Sequence, residues 1–102
     1  DAGRDEFDIA ATGQTIEIDL AIRGNINGQP VLVLGEVKSN LTASEVERFI
    51  RETDRIKASV SESESPQPEI RVIFFGYRAK REARELVKAK GAYIVFTHGK
   101  IL

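Results

Sequence analysis

The chain has 102 residues, 41% hydrophobic and 30% charged, with a formal net charge of −1, a composition that predicts one soluble cytoplasmic domain spanning residues 1–102. No apolar segment approaches the roughly 20 residues that cross a bilayer, no signal-peptide pattern opens the chain, and the near-neutral charge excludes a global attraction to nucleic acid. Because cysteine is absent and His98 is the only histidine, disulfides and thiolate or histidine-rich metal sites are excluded, so that any metal site must use the oxygen ligands that Mg²⁺, Mn²⁺ or Ca²⁺ prefer.

Three β-strands are predicted in the first part of the chain, and we expect them to pair as an antiparallel meander. The dipeptide Asn27-Gly28 favours a two-residue hairpin turn between the second strand and the third. The predicted strands are Phe7 to Ala11, Thr15 to Arg23 and Val31 to Lys38.

The second and third strands differ in their side-chain patterns. Alternation of apolar and polar residues in the second strand is typical of a strand with one face in the core. The third strand is apolar without alternation before Gly35, which indicates a central strand covered on both faces. The predicted core face of the second strand is Ile16, Ile18, Leu20 and Ile22, and its other face is Glu17, Asp19, Ala21 and Arg23.

Two helices and two further strands are predicted in the remainder of the chain. The first helix begins at a capping box, Thr42 to Glu45, flanked by a hydrophobic staple of Leu41 and Val46. Its predicted buried face is Val46, Phe49, Ile50, Thr53, Ile56 and Val60. The elements are a helix from about Ala43 to about Val60, a loop from Ser59 to Glu69, a strand from Ile70 to Tyr77, a helix from Lys80 to Lys90 and a strand from Ala92 to Thr97.

The order βββαβαβ predicts an α/β fold with a mixed sheet and helices packed on it. The first helix connects the third and fourth strands, which suits a right-handed parallel crossover. No helix is predicted before the first strand, and the absence of methionine leads us to expect that upstream sequence is missing.

Asp19, Glu36 and Lys38 are the candidate catalytic residues. Each lies toward the polar end of a predicted strand, where charged groups avoid an apolar sheet unless something pairs with them. Cross-strand register can bring Asp19 near Glu36, and two adjacent carboxylates repel unless a proton or a cation lies between them. The predicted cation is Mg²⁺ or Mn²⁺, which binds carboxylates and phosphate oxygens together, and the Lys38 ammonium would neutralise charge on a phosphoryl group.

These residues resemble the core of the PD-(D/E)XK phosphodiesterase superfamily, which includes archaeal Holliday junction resolvases. In this resemblance Asp19 takes the place of the first motif acid, Glu36 that of the second acid, and Lys38 that of the motif lysine. The resemblance implies a restriction-endonuclease-like fold, a metal ligand from the backbone carbonyl of Val37, and Mg²⁺-dependent hydrolysis of DNA. The superfamily usually begins with a helix that supplies another acid, and no such helix is predicted here.

Polar and basic residues near the candidate site predict contacts with DNA phosphates. They are Ser39, Asn40, Arg78, Lys80, Arg81 and Arg84. Two alternatives stay open at this level: Ser39 and Asn40 also suit the polar approach to a helix cap, and the basic residues also suit a solvated helix surface. His98 is expected to be a turn residue.

Three functions follow from these patterns. The first is a metal-dependent DNA endonuclease, able to act as a homodimer on branched or linear DNA, without a membrane or a nucleotide cofactor. The second is a nuclease-like module that binds DNA or a protein partner without hydrolysis. The third is a structural domain in which Asp19, Glu36 and Lys38 form ordinary ion pairs.

Overall fold

The computed structural model describes residues 2–9 and 12–96, and its elements follow the predicted order βββαβαβ. The predicted strand residues Ala10, Ala11 and Thr97, and the predicted turn residue His98, lie outside the described residues. No described helix is both long enough and apolar enough to cross a bilayer. The elements are β1 (Ala2–Ile9), β2 (Gln14–Ile26), β3 (Gln29–Leu41), α1 (Ala43–Ser63), β4 (Glu69–Ala79), α2 (Arg81–Ala89) and β5 (Tyr93–Phe96).

The five strands form one mixed sheet in the order β1-β2-β3-β4-β5. The pairs β1–β2 and β2–β3 are antiparallel, whereas β3–β4 and β4–β5 are parallel. The predicted fold class, meander and parallel crossover are therefore confirmed.

The hairpin between β2 and β3 forms at the predicted dipeptide. Asn27 and Gly28 both have positive φ angles, 52° and 82°, as a two-residue turn that matches the twist of a hairpin requires. Pairing runs without interruption from Ile26 opposite Gln29 to Leu20 opposite Gly35. At the hairpin both strands consequently extend past their predicted ends, to Ile26 in β2 and from Gln29 in β3, because the turn is tight enough to bring residues beside it into the ladder.

Both helices pack on the same face of the sheet, yet β3 is buried on both of its faces before Gly35, where Val31 and Leu32 are 6% and 0% exposed. The connections β3–α1–β4 and β4–α2–β5 step across the sheet in one direction, and right-handed crossovers in one direction place their helices on one side. The helices contact each other and share one core. On the opposite face, the described residues include Val37 and Tyr77, which are 55% and 59% exposed.

The centre of the core is an aromatic contact between α1 and the sheet. The rings of Phe49 and Phe74 lie 5.3 Å apart at 71°, an edge-to-face arrangement, and both side chains are almost fully buried. The predicted buried face of α1 is confirmed, with Ile50 at its margin. Its buried residues are Val46, Phe49, Thr53, Ile56 and Val60.

The structure confirms the predicted N-terminus of α1 but not its predicted C-terminus. At the N-terminus the capping box is present, since Thr42 and Glu45 satisfy each other's backbone donors. At the C-terminus the helix continues to Ser63 and is longer than predicted. The Ser63 hydroxyl donates a 3.0 Å hydrogen bond to the carbonyl of Ser59, so serine side chains that usually favour loops bond within the helix here.

The buried aromatic pair predicts a large mutational effect. Phe49→Ala should lower the free energy of unfolding by about 3–5 kcal/mol, because it removes a fully buried ring and leaves a cavity against Phe74. Chemical denaturation followed by circular dichroism measures this loss. Ile26→Ala is the control, since Ile26 is 46% exposed at the hairpin end of β2. Equal losses for the two variants would contradict this account of the core.

Candidate active site

Asp19 lies in an irregularity of β2 that the alternation of its sequence does not reveal. Against β1, Ala21 pairs with Gly3 but Ile18 pairs with Asp5, so β2 advances three residues while β1 advances two. The extra residue forms a β-bulge around Asp19 and Leu20. Bulges bend a strand and re-aim side chains, and they recur beside active sites.

The bulge overturns the predicted faces of β2. Ile18 and Ala21 are both buried in the core cluster although they lie three positions apart. The predicted alternation assigned them to opposite faces, and it fails because a bulge shifts the pattern by one residue. Ile16 and Ile18 follow the prediction before the bulge, whereas Leu20 and Ile22 after it are only partly buried.

The carboxylate of Asp19 reaches the backbone of β3. Regular pairing between β2 and β3 ends at Leu20 opposite Gly35. Beyond that point, the backbone N–H of Val37 donates a 3.1 Å hydrogen bond to Oδ2 of Asp19. Where the two strands separate, the Asp19 side chain thus takes the place of a backbone carbonyl as the acceptor for Val37. This bond holds Asp19 beside Val37, the residue between Glu36 and Lys38.

Glu36 is a buried acid on the helix side of the sheet. It pairs in register with the core residue Phe74, and it is only 8% exposed. Its carboxylate accepts a hydrogen bond from the guanidinium of Arg48 on α1, with which it forms an ion pair. A buried carboxylate needs a counter-charge of this kind to remain ionised.

Burial and three neighbouring charged groups act on the pKa of Glu36. Burial raises the pKa of this carboxyl above its ordinary value, and the hydrogen bond and charge of Arg48 lower it by less. The negative charge of Asp19 raises it further, whereas the positive charge of Lys38 lowers it. The structure therefore brings together the three residues that the sequence singled out, and it adds Arg48 to them.

Lys38 is held by the same residue that caps α1. Its Nζ lies 3.4 Å from Oε2 of Glu45, while Oε1 of Glu45 accepts the backbone N–H of Thr42 at 3.1 Å. Burial acts to raise the pKa of the Glu45 carboxyl, but the hydrogen bonds from Thr42 and the contacts with Lys38 outweigh it, so that this pKa is lowered. One carboxylate thus fixes both the helix N-terminus and the lysine.

A glycine in the neighbouring strand allows β4 to approach Lys38 closely. Gly76 pairs with Lys38, and a Cβ placed on Gly76 would lie 2.9 Å from the Lys38 carbonyl oxygen. That separation is shorter than side chains tolerate, and the obstructing atom belongs to the backbone. The sequence has a glycine where any side chain would displace the strand that carries the lysine.

Three residues of α1 contact the candidate site and were not predicted to do so. Arg48 bridges Glu36 and Glu52, with its Nη1 donating at 2.9 Å to Oε1 of Glu52. Glu45, Arg48 and Glu52 recur at helical spacing along one flank of the buried stripe. Such spacing places side chains on a common face, and it is the signal by which sequence analysis could have found them.

The chemistry of the donors fits a hard divalent cation. Asp19, Glu36 and the carbonyl of Val37 offer oxygen atoms only, and Mg²⁺ binds through one or two carboxylates while retaining several waters. Within residues 2–9 and 12–96 there is no group of three or more acidic or histidine side chains that could hold a metal. A cation bound through so few oxygen atoms would keep much of its hydration, as Mg²⁺ commonly does.

The predicted DNA-contacting residues lie on two surfaces. Ser39, Asn40, Arg78 and Lys80 lie at the carboxyl ends of β3 and β4, the edge that also carries Glu36 and Lys38, and all four are exposed. The backbone N–H of Lys80 bonds to the Leu41 carbonyl at 3.0 Å, which joins the two strand ends. We call this surface the strand-end edge.

Arg81 and Arg84 belong to a different surface. Both lie on α2 and line a groove of about 580 Å³ between α2 and β5, together with Tyr93. Arg81 is paired there with Glu85 at 3.1 Å. Two of the six predicted phosphate-contacting residues thus line the groove between α2 and β5.

Comparison with known proteins identifies the fold. The chain is similar to the crystal structure of a repair endonuclease from Pyrococcus abyssi, with a TM-score of 0.57 and 17% sequence identity. The similarity covers 92% of this chain but 37% of that protein, so the chain spans little more than a third of its length. No family model matches the sequence, and no curated protein matches it. The chain therefore shares its fold with that part of the repair endonuclease.

The opposite pKa shifts of Glu36 and Glu45 predict opposite pH dependences of stability. The folded protein binds a proton at Glu36 more tightly than the unfolded chain does. Its contribution to the free energy of unfolding is therefore full below pH 4.5 and is lost as the pH rises through the raised pKa. The contribution of Glu45 is present above pH 4.5 and is lost as the pH falls through the lowered pKa.

Urea denaturation of the wild type, Glu36→Gln and Glu45→Gln from about pH 3 to about pH 8 checks these signs. The stability of wild type relative to Glu36→Gln should fall with rising pH above 4.5, and relative to Glu45→Gln it should rise with pH below 4.5. Glu62→Gln controls for the loss of one exposed carboxylate of α1. Parallel curves for the two site variants would refute the assignment.

Proposed function

We propose that the chain is a metal-dependent endonuclease domain of the PD-(D/E)XK type, hydrolysing DNA phosphodiester bonds. The observation that carries the proposal is the 3.1 Å hydrogen bond that holds the Asp19 carboxylate at Val37, between Glu36 and Lys38. The chain also shares its fold with part of a repair endonuclease, but because function resides in the site and not in the fold, the proposal rests on the site residues.

In this proposal Asp19, Glu36 and the Val37 carbonyl hold Mg²⁺ or Mn²⁺. When bound, the cation supplies Lewis-acid stabilisation of charge on the phosphoryl oxygens and acidifies water for the attack. Lys38 provides a positive charge beside the scissile phosphate, and Glu45 keeps its ammonium in place at 3.4 Å. The strand-end edge binds the flanking phosphates through Ser39, Asn40, Arg78 and Lys80.

DNA is the proposed partner, and because one such site cuts one strand at a time, a homodimer with two sites is the simplest route to cleavage of both strands. Branched DNA belongs among the substrates to be tested because the resemblance includes resolvases.

A second candidate function is a binding module without hydrolysis. It is favoured by the pairing of Glu36 with Arg48 and of Lys38 with Glu45, which neutralises charges that the reaction would use. The same ion pairs would also serve a purely structural domain. These alternatives predict that cleavage is absent although the protein is folded.

Cleavage assays distinguish the three functions. Asp19→Ala, Glu36→Gln and Lys38→Ala should each reduce the rate of metal-dependent nicking by roughly a hundredfold or more, because each removes a group that stabilises charge or transfers a proton. Supercoiled plasmid, forked DNA and four-way junctions serve as substrates, with Mg²⁺, Mn²⁺ or a chelator. Lys57→Ala, at an exposed lysine of α1, is the matched control.

Two outcomes of that assay would replace the leading proposal. DNA binding without nicking in any cation supports the binding module. Neither binding nor nicking by folded protein supports the structural domain. Unchanged nicking by all three site variants would exclude Asp19, Glu36 and Lys38 as the catalytic residues.

The strand-end edge predicts a salt-dependent contribution to DNA affinity. Arg78→Ala and Lys80→Ala should each weaken binding on all sequences and reduce the slope of log affinity against log salt by about 1, as loss of one phosphate contact requires. Fluorescence anisotropy with labelled duplex measures both quantities. Arg71→Ala is the matched control, because Arg71 lies at the opposite end of β4 and pairs with Glu69 at 2.8 Å. An equal change in the control would exclude a localised edge.

A further inference from the structure

The ion pair between Arg48 and Glu36 places a guanidinium on a carboxylate that the proposed site also requires for its cation. Two positive groups compete for one buried acid. The consequences depend on which member of the pair needs the other more, and the two members differ in their surroundings.

Glu36 depends on a counter-charge because it is almost fully buried. Its side chain is 11% exposed, so water solvates it poorly, and an uncompensated buried carboxylate is strongly unfavourable. The nearby carboxylate of Asp19 adds repulsion. Some cation must therefore accompany Glu36 whenever it is ionised.

Arg48 does not depend on Glu36 to the same degree. Its side chain is 40% exposed to water, and a second carboxylate, that of Glu52 one turn along α1, already accepts its Nη1 at 2.9 Å. If Glu36 engages another cation, Arg48 keeps its hydration and its bond to Glu52. Loss of the ion pair is thus less unfavourable for Arg48 than for Glu36.

We infer that Arg48 is a positioning residue that acts as an exchangeable counter-ion, holding Glu36 charged and oriented until a divalent cation displaces it. The inference rests on the proposed metal site. A released guanidinium at the mouth of the site matches the bidentate geometry of a phosphate, so a phosphodiester that engages Arg48 favours the cation on Glu36. Binding of the cation and of DNA is then mutually reinforcing, since such coupling is reciprocal.

The test measures cation binding without reference to catalysis. Isothermal titration with Mn²⁺ is performed on the wild type, Arg48→Gln, Arg48→Lys and Arg51→Gln, where Arg51 is an exposed arginine of the same helix. Removal of the competing charge should tighten Mn²⁺ binding by roughly tenfold in Arg48→Gln. Arg48→Lys keeps a competing charge and should bind much as the wild type does, as should Arg51→Gln.

A matching readout comes from thermal unfolding. Without metal, Arg48→Gln should melt below the wild type because Glu36 loses its counter-ion, and saturating Mn²⁺ should raise its Tm by more than it raises that of the wild type. Mn²⁺ affinity in Arg48→Gln that equals or falls below that of the wild type overturns the inference, as does an equal gain in Arg51→Gln. Undetectable Mn²⁺ binding in both the wild type and Arg48→Gln also overturns it.

A measurement on the wild type covers the case in which Arg48→Gln does not fold. Nuclear magnetic resonance during titration with diamagnetic Mg²⁺ should shift the side-chain Nε–H signal of Arg48 and leave that of Arg51 in place. An unmoved Arg48 signal at saturating Mg²⁺ refutes displacement.

The proposed nuclease activity can fail independently of this inference. Tighter Mn²⁺ binding by Arg48→Gln in a protein that never nicks DNA supports the exchangeable counter-ion and rejects the enzyme. Metal-dependent nicking by the wild type, together with unaltered Mn²⁺ affinity in Arg48→Gln, supports the enzyme and rejects the exchangeable counter-ion.

Discussion

A buried glutamate with an obligatory counter-charge organises the candidate site. Glu36 lies on the face of the sheet that packs against the helices, in register with Phe74 of the core. A carboxylate in that position must be protonated, paired or bound to a cation. Arg48 meets that requirement in the structure. The fold therefore holds an ionised acid in place, and any other cation that reaches Glu36 would compete with Arg48 for it.

The topology explains why charged groups gather at this point. The parallel strands β3 and β4 end at the same edge, and a single residue, Thr42, lies between the end of β3 and the start of α1. The first turns of α1 accordingly lie above the carboxyl end of β3, and Glu45 and Arg48 reach back to Lys38 and Glu36. In open α/β sheets, sites form at the carboxyl ends of strands for this reason. A bulge in β2 completes the arrangement by directing Asp19 to the same edge.

Stability and the candidate chemistry share several contacts. Glu45 caps α1 and holds Lys38, and Gly76 keeps β4 close to the backbone of Lys38. Because a single side chain or glycine serves both purposes, substitutions here change folding and site geometry together. Variants that separate the two, such as glutamine at position 45, are informative because glutamine retains the capping hydrogen bond and removes the charge.

The sequence by itself determined the order of the elements, the hairpin at Asn27-Gly28, the capping box at Thr42 and the buried stripe of α1. These features depend on local chemistry: a positive φ, a hydroxyl beside an N-terminus and the 3.6-residue helical period. The sequence also singled out Asp19, Glu36 and Lys38, because charges at the ends of apolar strands are conspicuous.

Only the tertiary structure decided how these residues meet. The bulge at Asp19 depends on the register of β1 against β2, which no local pattern encodes, and it reverses the predicted faces beyond Ile18. The ion pair of Arg48 with Glu36 depends on the placement of α1 over β3. The placement of both helices on one face of the sheet follows from the direction of two crossovers. Register, helix placement and crossover direction arise from contacts between distant segments, and a single local pattern does not contain them.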